Sequence, residues 1–239
     1  HNFAAVKRLI DACQSHGLVL YENFMCEYHP QHTIVKESIQ QGKIGRPHVF
    51  KGYFGFPPLK KDSFRYDPTL GGGSLNDAGA YTAFMARIIF ESEPIAVSAD
   101  LEIDPNSNVD IRGSAYLQFP HNQNALLAFG FDNVYQNNYE VWGSQGLLCV
   151  HRAYSIPPTL KPVVELLTNV NFQQTTIALD APPANQFELI FSDFCETILT
   201  HNREKRENHY HKILNQAKVL EAIRRSHHEK RSIRMEEIN

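Results

Sequence analysis

From Pro94 onward the chain reads as short apolar strands at close intervals, and this texture constrains the fold more than any other feature. "IRGSAYLQF" sets the pattern: Ile111, Gly113, Ala115, Leu117 and Phe119 alternate with Arg112, Ser114, Tyr116 and Gln118. Successive side chains on a strand point to opposite faces, so this strand has one face covered and one wet. "NALLAFGF", "NNYEVWG", "GLLCVHR" and "KPVVELLT" supply further strands, and "GSQG" (Gly143 to Gly146) reads as a hairpin turn. Sequential strands joined by short turns pair antiparallel, because a parallel pair needs a long crossover. The expected product is an open, largely antiparallel sheet with one covered face.

Helices supply the cover. Asn185 is a good N-cap with Glu188 three residues on, and Phe187, Phe191, Phe194 and Ile198 make one apolar stripe behind it. Ile213, Ala217, Leu220 and Ile223 make a second. Between them "HNREKRENHYH" reads as charged loop or helix start, and the basic tail "RRSHHEKRSIR" as a solvated end. Ahead of the sheet, residues 3–16 read as a helix with Phe3, Val6, Ile10 and Cys13 on one face, stopped by Gly17. "LVLYENF" (Leu18 to Phe24) then reads as a buried strand. Helix followed at once by strand is the half-unit of a parallel α/β sheet, and the sequence holds only one such unit. Pro30 opens a helix to Gln41, His48 to Phe56 reads as a strand, "PPLKKDSFRYDP" as a loop, and about Leu75 to Phe90 as a helix. The fold class is therefore α+β: the stump of an α/β unit followed by an open sheet with helices on one face.

A formal net charge of -3 gives no general pull toward nucleic acid or an acidic membrane surface. Apolar runs such as "ALLAFGF" are far too short to span a bilayer, and no basic segment leads into a long apolar one at the start. Cys13, Cys26, Cys149 and Cys195 are scattered, without the close spacing of a zinc site or redox pair, and read as reduced thiols of a cytoplasmic protein. The chain opens at His1 rather than Met, so it reads as processed or as a piece of something longer.

The stretch "GGGSLNDAGAY" (Gly71 to Tyr81) is the principal candidate site. Three consecutive glycines forfeit backbone entropy, which a chain tolerates at a tight bend or beside a closely approaching group. Asp77 and Tyr81 follow at i, i+4, one above the other on a helix face. Taken alone, Tyr81 could simply pack, and Asp77 could simply complement the helix dipole. Twelve histidines, including His29 and His32 in "HPQH", raise the question of a metal, but no HExxH or CxxC accompanies them and none is expected. There is no GxSxG elbow, GxGxxG fingerprint or GK[ST] ending.

The segments "ENFMCEYHPQHTIVKESIQQGKIGRPHVFKGYFGFP" and "FRYDPTLGGGSLNDAGAY" resemble the glucose–fructose oxidoreductase, inositol dehydrogenase and rhizopine catabolism (Gfo/Idh/MocA) family. "VWGSQGLLCVHRAYSIPPT" (Val141 to Thr159) is more specifically similar to the nucleotide-sugar 3-ketoreductases of deoxysugar pathways, and "KVLEAIRRS" to the family's last helix. The resemblance implies residues 1–23 as the last helix and strand of a Rossmann-type dinucleotide-binding domain, and residues 24–239 as a substrate-binding and oligomerisation domain. It implies Tyr81 as general acid/base toward a sugar carbonyl while NAD or NADP exchanges hydride. A free tyrosine titrates near 10, so a neighbouring cation would be needed near neutrality. It further implies Asp77 as an orienter of substrate hydroxyls, and His29 and Arg65 as sugar or phosphate contacts. Arg152 and Tyr154 would meet pyrophosphate or base, with a plain sheet-surface pair equally open. Glu22 and Asn23 would approach the nicotinamide.

The sequence departs from that family in lacking the glycine-rich turn and the catalytic Glu-Lys-Pro. The only Lys-Pro, Lys161-Pro162, lies far along the chain, and Glu27 stands where related sequences often carry Arg. Two readings stay open: the substrate-binding portion of an NAD(P)-dependent sugar oxidoreductase, inactive in isolation, or a non-catalytic carbohydrate- or nucleotide-sugar-binding module. Self-association through the uncovered sheet face is expected in either case.

Overall fold

The computed structural model describes residues 2–238. Its strands are β1 (Pro47–Gly55), β2 (Ala96–Ile103), β3 (Asp110–Gln118), β4 (Asn124–Gly130), β5 (Gln136–Gly143), β6 (Gly146–Val150), β7 (Val164–Val170), β8 (Gln173–Leu179) and β9 (Ile233–Arg234). Its α-helices are α1 (Phe3–Ser15), α2 (Pro30–Gln40), α3 (Ala80–Phe90), α4 (Gln186–Leu199) and α5 (Arg203–Glu229). The strands make one sheet in the order β8-β7-β6-β5-β1-β4-β3-β2-β9. Only β1 and β4 run parallel, Phe50 beside Ala125 and Phe54 beside Phe129; the other neighbours are antiparallel.

The alternation expected for Ile111 to Phe119 is clearest at the end of β3: Ala115, Leu117 and the following Phe119 are buried and Arg112, Ser114 and Gln118 exposed, while Ile111, Gly113 and Tyr116 are half-buried. The covered face continues through Phe50 and Phe54, Leu127 and Phe129, and Tyr139 and Val141, with Phe84, Met85 and Ile223 packed over them from α3 and α5. The opposite face presents Leu126 and Trp142, both exposed, beside part-exposed Lys51 and Tyr53. Ser144 and Gln145 form the two-residue hairpin between β5 and β6. No helix among the described residues is long and apolar enough to cross a membrane.

Three expectations need correction. Leu18 to Phe24 forms no strand, because among the described residues no segment pairs with it in a ladder. Most of the stripe on α4 faces outward: Phe187, Phe191 and Ile198 are 46%, 58% and 41% exposed, and only Phe194 is half-buried, edge-on to Tyr21, whereas Gln186, Ile190 and Thr197 are buried. A polar anchor sets the rotation of that helix. The Asp193 carboxylate accepts the hydroxyls of Tyr21 and Tyr28 at 2.9 Å each and pairs with Lys205 at 2.5 Å. Such charge-assisted bonds hold this face inward more firmly than the phenylalanines hold theirs. Lastly, the basic tail is not a free solvated end. Ser226 is buried and accepts the Ala99 N–H at 2.9 Å, and Ile233 is sealed in β9 against β2.

Candidate active site

The glycine run is a close crossing of two backbones. A Cβ on Gly72 would lie 2.5 Å from the Arg65 carbonyl oxygen and 2.8 Å from that of Asp67. That proximity lets the amides of Gly72 and Gly73 donate to Asp67 and Arg65 at 2.9 Å each. Gly73 has φ +112°, and a Cβ there would meet Asp110 Oδ1 at 2.3 Å. Asp110, at the head of β3, accepts from Ser74 Oγ at 2.8 Å and from the Leu75 N–H at 2.6 Å. The expected helix therefore begins with a π turn over Leu75–Gly79 before α3 takes over. One extra residue per turn is the known device for re-aiming side chains at functional sites.

Arg65 and Asp77 are brought together: Arg65 Nε donates to Asp77 Oδ2 at 2.6 Å, and both remain partly exposed. Tyr81 is half-buried. Its ring meets Phe24 and Phe54 edge-on at 5.1 and 5.6 Å, and its hydroxyl lies 3.6 Å from Met25 Sδ. Burial above all, then the charges of Cys26, Asp77 and Glu22, push the phenol above its ordinary value, and only Arg65 pulls it down. Arg65 spends its Nε on Asp77, so the cation that would make the phenol easily ionised is not supplied here. At neutral pH the Tyr81 phenol keeps its proton.

Glu22 lines a cleft of about 260 Å³ with Phe24, Asn76, Ala80 and Arg224. Its outer surface is open, but the crowded atoms around its carboxyl desolvate it and push it up to about 7, against the pull of Arg87. Asn23 is exposed beside it. His29 is buried as the N-cap of α2, its Nδ1 accepting the Gln31 N–H at 3.3 Å, and its Nε2 has no hydrogen-bond partner among the described residues. Arg152 lies over the Tyr135 ring, 5.0 Å from its centroid, and donates to the Tyr135 hydroxyl at 2.5 Å.

Tyr154 differs from expectation. It is fully buried, donates to the Asn138 carbonyl at 3.3 Å, and forms part of the aromatic wall behind Tyr81. A sealed side chain presents nothing to a ligand. Glu27 is tied to Lys212, and Lys161 makes an exposed pair with Asp180 on another part of the surface. Met25, Asn76, Tyr135 and Arg224 were not singled out by sequence reasoning. Asn76 alone had a signal, standing beside Asp77 in the glycine motif.

Fold and site together define an α+β domain whose polar groups gather beyond the carboxyl ends of its one parallel strand pair. The profile of the GFO/IDH/MocA C-terminal domain matches residues 32–149. The dTDP-3,4-didehydro-2,6-dideoxy-alpha-D-glucose 3-reductase of Actinomadura kijaniata is 33% identical over 220 residues, 91% of this chain and 64% of that protein. The reductase of the same description from Streptomyces antibioticus is 35% identical over 186 residues, 78% of this chain and 56% of its own. KijD10, a 3-ketoreductase from Actinomadura kijaniata solved in complex with NADP and TDP-benzene, superimposes with a TM-score of 0.84 at 30% identity, covering 94% of this chain and 67% of that one. The chain belongs to the Gfo/Idh/MocA family. It spans less than two thirds of the length of these two curated relatives.

Proposed function

We propose that this chain is the substrate-binding and proton-donating portion of a cytoplasmic NADP-dependent reductase acting on a nucleotide-linked keto-deoxysugar, with residues 1–23 belonging to its cofactor domain. The observation that carries the reading is the half-buried Tyr81 hydroxyl one turn beyond the Arg65–Asp77 pair. The similarity to dTDP-sugar 3-reductases and to an NADP-bound 3-ketoreductase supports the substrate and cofactor classes.

The residues present fit only one end of the dinucleotide. Glu22, its carboxyl pushed above the usual range by desolvation, and Asn23 would meet the nicotinamide side, and the sequence has no glycine-rich cradle for the phosphates. When bound, the nicotinamide supplies hydride to the sugar carbonyl carbon. The Tyr81 phenol gives its proton to the carbonyl oxygen as charge develops there. A raised pKa suits this direction, because the phenol holds its proton until an alkoxide is forming. Asp77, held by Arg65, would accept a hydroxyl of the sugar and fix its plane. Arg152 would pair with phosphate, whereas His29, as fully buried as Tyr154, presents no atom to a guest. The uncovered face, with Tyr53, Leu126 and Trp142, would join a second copy.

The missing cation beside Tyr81 favours a second reading, a nucleotide-sugar-binding module without turnover. The two separate in one experiment on the intact protein, using NADPH and dTDP-3,4-didehydro-2,6-dideoxy-α-D-glucose. Tyr81→Phe should lower kcat by about 10²- to 10⁴-fold while calorimetry shows unchanged affinity for NADPH. Turnover by the variant within a few-fold of the parent would refute the proton-donor role. Tight sugar binding with no turnover by the parent would establish the binding module.

A further inference from the structure

We propose that Arg224, on α5, is a positioning residue that sets the aim of the π turn carrying Asp77 toward Tyr81. The inference rests on the reading of Tyr81 as proton donor. Arg224 is 148 residues from Asn76 in sequence, yet its guanidinium donates to Asn76 Oδ1. The Asn76 carboxamide in turn donates through Nδ2 to the Gly71 carbonyl at 2.9 Å, with the Gly72 carbonyl at 3.4 Å. One side chain from the last long helix thus braces the glycine loop and the π turn at once.

Asp110 holds the same turn through Ser74 and Leu75, and the charges of Glu221 and then of Asp110 attract Arg224. A π turn has few intrinsic supports, so its persistence depends on neighbours that over-determine it. Arg224, Asp110 and Arg65 each hold this turn, and among the described residues Arg224 is the side chain that bonds the Asn76 carboxamide oxygen. Nη2 bonds Asn76 while Nη1 lies 3.6 Å from Glu221 Oε2, a two-sided placement that a compact ammonium would not reproduce. Arg224 lines a cleft with Glu22 and Ala80, and neither Arg65 nor Asp77 lines it. Its link to the turn that carries Asp77 runs through the Asn76 side chain.

The test is steady-state kinetics of the intact protein with NADPH and dTDP-3,4-didehydro-2,6-dideoxy-α-D-glucose, together with thermal melts. Arg224→Leu and Asn76→Leu should each lower kcat about 10-fold or more, as expected of a small misplacement of reacting groups, with KM for the sugar nucleotide changed less than about 2-fold. The double variant should fall no further than the worse single, because both break one brace. Arg224→Lys should recover only part of the loss. Unchanged kcat in Arg224→Leu, a rise in KM instead of a fall in kcat, or losses that multiply in the double variant would each overturn the inference. If Arg224→Leu fails to fold, the same criteria apply to Asn76→Leu and Arg224→Lys. Full turnover by Tyr81→Phe would instead sink the proton-donor reading, so the two failures are distinguishable.

Discussion

Replacing Gly73 by alanine tests whether the glycine loop is held by a steric fit against Asp110. The added Cβ lands 2.3 Å from Asp110 Oδ1 at a φ of +112°, so two penalties add. Holding a non-glycine residue in that backbone region costs about 1–3 kcal/mol. Moving the carboxylate aside breaks at least one of its bonds to Ser74 Oγ at 2.8 Å and Leu75 N at 2.6 Å. A hydrogen bond to a charged group contributes about 1.5–3 kcal/mol. The expected loss is about 3–5 kcal/mol, or about 10 °C in Tm for a chain of this size. Urea titration of the parent, Gly73→Ala, Asp110→Ala and the double variant measures it. In the Asp110→Ala background the alanine should cost only its backbone strain, because the clash is gone. A Gly73→Ala loss below about 0.5 kcal/mol, or one equal in both backgrounds, refutes the steric argument.

Two further outcomes are expected. Burial, and then the neighbouring His29, pushes His32 down to about 3, while burial, and then Lys212, pushes His209 down to about 4. The unfolded chain takes up these protons near pH 6.5 and the fold does not, so stability is full above that pH and falls as pH drops toward about 4. At pH 5 the loss is about 2 kcal/mol for each residue, read as a lower urea midpoint than at pH 7.5; equal midpoints would show that these histidines are not held neutral. Leu126→Arg, on the uncovered face, should halve the mass seen by light scattering, and an unchanged mass would remove that face as an interface.

Much of the sheet is legible in the sequence because alternation there is decided by burial alone, as Ala115, Leu117 and Phe119 illustrate. β2 carries the same signal in Val97, Ala99 and Leu101, whereas β8 is almost wholly exposed and has no buried side to reveal it. Helix rotation is less legible. Phe187, Phe191 and Ile198 form a clean stripe, but Asp193 on the opposite side bonds two tyrosines and a lysine brought in from elsewhere, and that outcome depends on partners no local window contains. Within the site, Asp77 and Tyr81 stand out through their spacing after the glycines. The pairing of Asp77 with Arg65 does not, nor does the brace from Arg224, because each joins segments separated along the chain. Tyr154 fails for the converse reason: the resemblance of its segment implies a ligand-facing hydroxyl, while the aromatic packing of Phe54 and Tyr139 claims the ring.

The lone parallel pairing of β1 with β4 has a consequence for how such a domain diversifies. Both strands discharge their chain at the same rim, so the long excursion that holds Arg65 and the short one that holds Tyr135 start as neighbours. Either excursion can be lengthened, trimmed or recoloured without disturbing the ladder beneath, and a new guest can be accommodated while Tyr81 stays where α3 puts it.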